Sequence, residues 1–259
     1  MGIVKTIKNF FTRSKYVMTT QNLTNITDHP KIAVSSTEYD RIRENLKYYA
    51  GHYPQIDYID SNGNPQKRAF NHLPIGRTAA KKIASLVFNE QAEIKLDDKD
   101  ANKFIQKQLQ DDRFVKNFER YLESGLALGG LAMRPYVDRD KVRVSFIQAP
   151  VFLPLQSNTQ DVSSAAIITK TIKSEGNKQK FYTLIELHEW GKDDKYTVTN
   201  ELYKSDNQNI VGARVPLSDL YEDLEEVVDL NGLSRPLFTY LKTPGMNNKD
   251  INSALGLSI

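Results

Sequence analysis

Carboxylates crowd into one short segment of the chain, residues 219–226, where they could hold a metal ion. The acids there are Asp219, Glu222, Asp223, Glu225 and Glu226. Clustered carboxylates that bind Mg²⁺ or Mn²⁺ can support phosphodiester hydrolysis, so a metal-dependent nuclease is one hypothesis. The apolar residues between these acids recur at helical spacing, as on a helix with one solvated face. We therefore predict a helix over residues 217–228 whose outward face is acidic.

Five basic residues form a second group that could do chemistry. They are Lys67, Arg68, Arg77, Lys81 and Lys82. Arg77 and Lys81 are one helical turn apart, so side chains of this group could contact phosphate groups or a partner. The alternative is a solvated helix face, which is the commoner position for such residues.

Metal and nucleophile chemistry have little support elsewhere in the sequence. On a strand, Glu186 and His188 would share one face, which could supply two ligands of a metal site or be a solvated strand edge. The chain has no cysteine, no G-x-S-x-G elbow and no phosphate-binding loop followed by Lys-Ser or Lys-Thr. We therefore expect no enzymatic activity, no cofactor and no small-molecule substrate.

The first residues form a basic tip on a nearly neutral chain. Lysine and arginine total 35 against 32 acids, and residues 1–15 hold four basic residues and no acid. Residues 3–11 predict an amphipathic helix. Its apolar face includes Ile3, Ile7, Phe10 and Phe11. Such a helix could dock on a neighbouring subunit, lie on a membrane surface or fray. No apolar run approaches the ~20 residues of a membrane span, and we expect no membrane partner.

The elements that must position these groups centre on residues 114–147. Phe118, Leu122 and Gly125 lie on one apolar face of a predicted helix that ends at Gly129-Gly130, where a positive φ costs little. The pattern then alternates, which predicts a strand pair turning at residues 138–140. We interpret the glycines as sites of close helix-on-sheet packing, in preference to a ligand-binding loop.

Helices are predicted before this stretch and strands after it. A capping box at Ser35 begins a helix with its apolar face on Tyr39, Ile42, Leu46 and Tyr49. A second helix, over residues 75–88, has its apolar face on Ile75, Ala79, Ile83 and Val87, and a third covers residues 99–109. A hairpin turns at Asn62-Gly63. Later strands are predicted at residues 165–172, 180–190, 195–204 and 237–241, with turns short enough to make them antiparallel.

The predicted fold class is α+β, with N-terminal helices packed on a largely antiparallel β meander and a further acidic-faced helix near the C-terminus. The sequence divides into four parts. They are residues 1–30, a basic amphipathic helix and polar connecting arm; 31–130, mainly helical with a hairpin near 56–70; 131–249, an antiparallel sheet with the helix 217–228; and 250–259, the start of a helix. That last helix either frays or continues in a longer protein.

Seven stretches, in order along nearly the whole chain, resemble the portal (head-to-tail connector) proteins of tailed phages, in the siphophage branch often labelled minor capsid protein. They are ITDHPKIAVSSTEYDRIRENLKYYAGHYP at 26–54, KKIASLVFNE at 81–90, FERYLESGLALGGLAMRPYVD at 118–138, YTLIELHEW at 182–190, NELYKSDN at 200–207, VPLSDLYEDLEE at 215–226 and DINSALGLSI at 250–259. None of them is a catalytic fingerprint, and the resemblance depends on their joint order.

The resemblance implies a structural subunit of the virion. Portal proteins form a ring, commonly of twelve subunits, which assembles in the host bacterial cytoplasm and sits at one capsid vertex. Double-stranded DNA passes through its channel, and terminase, capsid and head-completion proteins bind it. Family subunits continue past the equivalent of Ile259, so this chain resembles the outer wing region. The alternatives from other classes are a metal-dependent phage nuclease and a membrane-surface protein acting through residues 1–15.

Overall fold

The structure of the chain, a computed structural model, describes residues 22–69, 71–89, 93–138, 141–158, 161–191 and 195–243. These residues contain four α-helices. They are α1 Ser36–Tyr49, α2 Ile75–Asn89, α3 Lys99–Asp111 and α4 Phe114–Leu128. All four were predicted from apolar periodicity and capping residues. None of the helices among the described residues combines the length and the apolar composition that a membrane crossing requires.

The strands of the described residues form three sheets. They are β1 Asn22–Leu23, β2 Gln55–Ile59, β3 Pro65–Ala69, β4 Gly130–Asp138, β5 Lys141–Gln148, β6 Phe152–Ser157, β7 Val162–Glu175, β8 Lys178–Trp190, β9 Tyr196–Ser205, β10 Gly212–Val215, β11 Val227–Leu230 and β12 Thr239–Lys242. The largest sheet has the order β1-β10-β9-β8-β7-β6, with β11 paired to β9. A second sheet has the order β12-β4-β5, and β2 and β3 form a hairpin. Helices followed by an antiparallel meander confirm the α+β class.

The described chain forms two compact units. The larger unit comprises residues 33–167, 187–197 and 229–243, and the smaller unit comprises residues 22–32, 168–186 and 198–228. The larger unit has one core around α1, α2 and α4 and another around Phe152, Ile167 and Phe238. The core of the smaller unit contains Tyr182 and Leu202. All four helices therefore belong to the larger unit.

The junction of α4 with β4 is as predicted. Gly129 ends the helix with φ 99°, a left-handed conformation that strains other residues. A Cβ on Gly125 would lie 3.0 Å from the Cβ of Leu131, and a side chain on Gly130 would overlap the ring of Tyr240. These glycines therefore permit close packing of helix, strand and β12 and do not form a ligand-binding loop.

Two further local predictions are confirmed. The Ser35 hydroxyl accepts a hydrogen bond from the Glu38 main-chain N–H at 3.3 Å and caps α1. The β2–β3 hairpin turns at Gly63, where φ is 83°. The Asp60 carboxylate accepts hydrogen bonds from the main-chain N–H groups of Asn62 and Asn64, both at 2.9 Å, and closes this turn.

The predicted helix over residues 217–228 is wrong. Only a short 3₁₀ turn forms, at Leu217–Asp219, and the chain then extends into β11. Asn200 on β9 holds the end of this segment, because its side-chain amide donates to the carbonyl of Glu225 and its main-chain N–H donates to the carbonyl of Glu226, both at 2.7 Å. These bonds and the pairing of β11 with β9 keep the end of the segment extended. The apolar residues at helical spacing pack on the sheet as a compact turn.

Two predictions fall outside the described residues. The docking face of Ile3, Ile7, Phe10 and Phe11 is one, and the helix start at residues 250–259 is the other.

Candidate interaction surfaces

Helix α2 packs with a different face from the one predicted. Ala80 and Ala84 are its buried residues, and they pack in one core with Leu122 and Leu126 of α4. The predicted apolar face instead points outward, with Ile75 71% and Ile83 37% exposed. Small side chains explain this choice, because alanines allow two helices to approach more closely than isoleucines do. The result is an exposed α2 stripe, which consists of Ile75, Ile83 and Leu86, with the half-buried Ala79 between them.

Three of the predicted basic residues lie on α2. The Arg77 guanidinium lies 5.4 Å from the ring centre of Tyr49, and its Nε is 3.9 Å from a carboxylate oxygen of Glu123. Burial raises the pKa of Tyr49 to about 12, and its hydrogen bond to Glu123 acts in the same direction. Lys81 and Lys82 follow on the same helix, and both are exposed. Arg77 therefore interacts with residues of its own unit, whereas the two lysines project into solvent.

The other two basic residues, Lys67 and Arg68, lie on β3 of the hairpin. The Lys67 ammonium is 3.5 Å from the Asp57 carboxylate, and the Arg68 guanidinium is 5.7 Å from the ring centre of Tyr58. Every residue of β3 is exposed. The structure thus divides the five predicted residues between two elements. Since Lys67 is balanced by Asp57, the hairpin is a weaker phosphate site than its sequence indicated.

The acidic segment forms a solvent-facing turn, residues 217–226, which we call the acidic turn. Its half-buried apolar residues, Leu220, Tyr221 and Leu224, pack on a core that contains Tyr182. Its five acids are all exposed. They are Asp219, Glu222, Asp223, Glu225 and Glu226. Arg214 lies 3.9 Å from Glu226, and Lys173 donates to the main-chain carbonyl of Asp219 at 3.2 Å. The turn is thus a strongly acidic surface.

No group of side chains that could bind a metal ion was found in the part of the chain that the structure describes. The solvated strand edge proposed for Glu186 and His188 is wrong, because they are only 5% and 3% exposed. His188 Nδ1 lies 2.9 Å from the Tyr196 hydroxyl, and the His188 ring lies edge-on to Phe238. Burial raises the pKa of Tyr196 to about 12. His188 is therefore a residue of the protein interior.

A buried ionic network in the smaller unit was missed by the sequence reasoning. His29 Nε2 lies 3.0 Å from the Glu201 carboxylate, which also accepts a hydrogen bond from the Tyr203 hydroxyl at 2.7 Å. The Arg214 guanidinium is 3.4 Å from the same carboxylate. Burial alone would raise the pKa of Glu201, but the hydrogen bonds and the guanidinium outweigh it and lower the pKa to about 2. The network therefore holds Glu201 as a carboxylate anion at neutral pH.

This network fixes the segment that carries His29. The Lys31 main-chain N–H donates to His29 Nδ1 at 3.2 Å, so a neutral ring carries its proton on Nε2, toward Glu201. Strand β1 of the same segment pairs with β10. No local sequence signal could have revealed this, since His29 and Glu201 are far apart in the chain. The network is structural in character, because each of its charged groups faces another.

An open groove of about 1230 Å³ lies in the larger unit beside α3 and the start of α4. Its apolar lining includes Val87, Ile94, Leu109, Phe114, Phe118 and Met133. The rim carries both signs of charge, with Glu93 and Lys95 paired and Lys116 next to Glu119 in the lining. This mixture does not favour one class of ligand.

Comparison with known proteins gives one family. The model of the family described as phage portal protein, SPP1 Gp6-like, matches residues 28–253. The match includes α1 to α4, the basic residues and the acidic turn. No match was found among curated proteins. Because the family model covers most of the sequence, the chain belongs to the phage portal proteins of the SPP1 Gp6-like family.

Proposed function

We propose that this protein is the subunit of a portal ring at one vertex of a phage capsid, where double-stranded DNA enters during packaging and leaves on ejection. The observation that carries the proposal is the family match over residues 28–253. Portal proteins are structural and not enzymatic, and the family has an oligomeric ring at the capsid vertex. In this proposal the subunits, commonly twelve in such rings, assemble in the host bacterial cytoplasm, and the ring then binds terminase, capsid and head-completion proteins.

Charge supports a passive conduit in preference to a DNA-gripping protein. Lysine and arginine exceed the acids by three over the whole sequence. Affinity for DNA grows steeply with each phosphate contact, so a strongly basic chain would hold DNA in place. In the described larger unit, Lys67 is paired with Asp57 and Arg77 lies near Glu123, which leaves fewer cations for phosphates. A nearly neutral surface suits DNA that must slide.

The exposed surfaces also support a protein that functions in an assembly. The α2 stripe leaves large apolar side chains in solvent, and such contiguous patches are typical of protein–protein interfaces. We further propose that the apolar face of Ile3, Ile7, Phe10 and Phe11 docks on a neighbouring subunit. Removal of residues 1–15 is then expected to weaken self-association. Liposome binding should be low both with and without these residues.

Electron microscopy of the purified protein tests the proposed function directly. For the full-length subunit we expect closed rings with a central hole, whereas residues 1–259 alone should remain monomers or small oligomers, and light scattering should give the mass of each sample. Incubation with plasmid DNA and Mg²⁺ or Mn²⁺ tests the alternative function, a metal-dependent nuclease. Plasmid cleavage that Glu222→Gln and Asp223→Asn abolish would overturn the structural role. Failure of the full-length subunit to form any oligomer over a broad concentration range would overturn the ring.

A further inference from the structure

Helix α2 presents an apolar face that the described residues of its unit leave exposed. Ile75 is 71% exposed, Ile83 37% and Leu86 52%, and they lie on one side of the helix at intervals of a turn or two. The opposite side is already packed, because Ala80 and Ala84 are buried. A helix that buries alanines and exposes its larger apolar side chains is suited to a second contact.

The same face has a basic border. Lys82 is seven residues from Ile75 and four from Leu86, so it lies in line with the α2 stripe. Lys81, one residue earlier, lies about 100° around the helix from Lys82 and so away from this face, and both side chains are exposed. A partner for this face must therefore combine apolar atoms with negative charge.

The acidic turn meets that requirement on the same chain. Its exposed carboxylates surround Leu220, Tyr221 and Leu224, which are only half-buried. Because the acidic turn and the α2 stripe are different surfaces, their contact between two copies is heterologous, which is the kind that generates closed rings. A symmetric contact of α2 with α2 would instead bring Lys82 of both copies together, and like charges at an interface oppose binding.

From this charge complementarity we infer that the α2 stripe and its lysines in one copy bind the acidic turn of the next copy. The inference rests on the proposed function, since it names the surfaces through which neighbouring ring subunits touch. The occupant is a second copy of this chain, and the contact is repeated head to tail around the ring.

Site-directed cross-linking tests the contact, because the chain has no native cysteine. A protein carrying Lys82→Cys is mixed with one carrying Glu222→Cys, and a short bismaleimide is added. We expect a mixed dimer well in excess of either self-linked dimer. The matched control replaces Lys82→Cys by Lys47→Cys, an exposed lysine on α1, and should give only background. The inference would be overturned if Lys47→Cys gave as much mixed dimer as Lys82→Cys. It would also be overturned if the main product linked two copies of the Lys82→Cys protein.

Charge reversal gives a second and independent measurement. The double variant Lys81→Glu/Lys82→Glu should weaken self-association about tenfold or more at low salt, with a smaller effect at high salt. The variant Glu222→Lys/Asp223→Lys should be equally weakened alone, and mixing the two variants should restore association. Circular dichroism confirms that each variant is folded. Association that is unaffected by both reversals would contradict the proposed contact.

The possible failures separate this inference from the proposed function. Rings in the microscope, with no cross-link and no effect of charge reversal, would overturn the contact and leave the portal role intact. Neither rings nor cross-links would overturn both. Protection of Ile83→Cys from maleimide in the ring, without a cross-link to Glu222→Cys, would mean that another segment covers α2, and would overturn the acidic turn as its partner.

Discussion

Helices α1 and α2 carry large apolar residues at nearly the same spacing, but they use them in opposite ways. In α1, Ile42 is fully buried and the Tyr39 hydroxyl donates to the main-chain carbonyl of Phe152. In α2, Ile75 and Ile83 are in solvent, while the core contact is made through two alanines. Both helices pack in the same core with α4.

The difference shows that packing distance, and not hydrophobicity alone, selects the buried face of a helix. Alanine removes little surface from water, so burying Ala84 in place of Ile83 gives up part of the available hydrophobic energy. A close approach of α2 to α4 offsets part of that loss through contacts of the backbone and the facing side chains. The remaining apolar surface is available to a partner. An exposed apolar stripe on a well-packed helix therefore indicates an interface.

The largest expected effect comes from truncating one isoleucine on each helix. Ile42→Ala should lower the free energy of unfolding by roughly 2–5 kcal/mol, because it leaves a cavity in the core. Ile75→Ala removes the same atoms from a site that is 71% exposed and should cost at most about 0.5 kcal/mol in the unassembled chain. Denaturant unfolding of both variants at low protein concentration provides the measurement. Equal losses at the two sites would mean that the α2 stripe is buried.

Charged residues show the same contrast between exposed and buried positions. On α1, Asp40 pairs with Arg43 and Glu44 with Lys47, and all four side chains are more than half exposed. Such pairs contribute about 0–1 kcal/mol each. Glu201, in contrast, is 11% exposed and held by His29, Tyr203 and Arg214.

We therefore expect a pH-dependent loss of stability that depends on Glu201. Its pKa is lowered from 4.5 to about 2, so the stabilisation is complete above pH 4.5 and is lost as the pH falls through 2. Glu201→Gln should cost roughly 2–3 kcal/mol at pH 7, and the difference from wild type should shrink toward zero near pH 2. The control Glu44→Gln should show almost no such pH dependence. A constant difference for Glu201→Gln at all pH values would assign its role to packing.

The packing of α2 on α4 can be tested by adding volume. Ala84→Leu places a large side chain in the core that the two helices share and should cost roughly 1–3 kcal/mol by overpacking. Thr78→Leu makes a comparable change at an exposed position of the same helix and should fall within about 0.5 kcal/mol of wild type. Thermal unfolding compares the two. A harmless Ala84→Leu would show that the α2–α4 contact is loose.

Several elements could be predicted from the sequence because their signals are local. Ser35 and Gly129 cap the helices at which they were expected, and Asn62-Gly63 turns the hairpin. The alternation after Gly130 also gave the correct strand pair, with Met133 opposite Phe146. In these places one or two residues determine the backbone conformation, so no knowledge of distant parts of the chain was needed.

What could not be predicted depends on residues far apart in the chain. The buried face of α2 is decided by α4, and the pairing of His29 with Glu201 spans most of the sequence. Of the proposed contact between the α2 stripe and the acidic turn, only the charged residues were recognised from the sequence. The exposed apolar residues of α2 were expected in the core. The basic tip at residues 1–15 and the division of the sequence into four parts stay predictions.

The segment of residues 217–228 completes the comparison, because it has the apolar spacing of α1 and α2 and yet forms no helix. Its end is held on β9, where Asn200, which is 3% exposed, binds the carbonyls of Glu225 and Glu226 and where β11 pairs with β9. A short isolated helix is marginal in water, so two such bonds and a few leucine contacts suffice to favour the extended chain. The expected effect of removing one bond is correspondingly small.

Asn200→Ala removes only the side-chain bond, since the main-chain N–H still reaches Glu226. It should lower the free energy of unfolding by about 1 kcal/mol, the net value of one hydrogen bond. Amide exchange should become faster in β11 and stay unchanged in α1. Asn209→Ala, at an exposed position in a nearby loop, is the matched control and should alter neither quantity. If Asn200→Ala also left exchange in β11 unchanged, the leucines of the acidic turn, and not Asn200, would hold the segment against the sheet and prevent it from forming a helix.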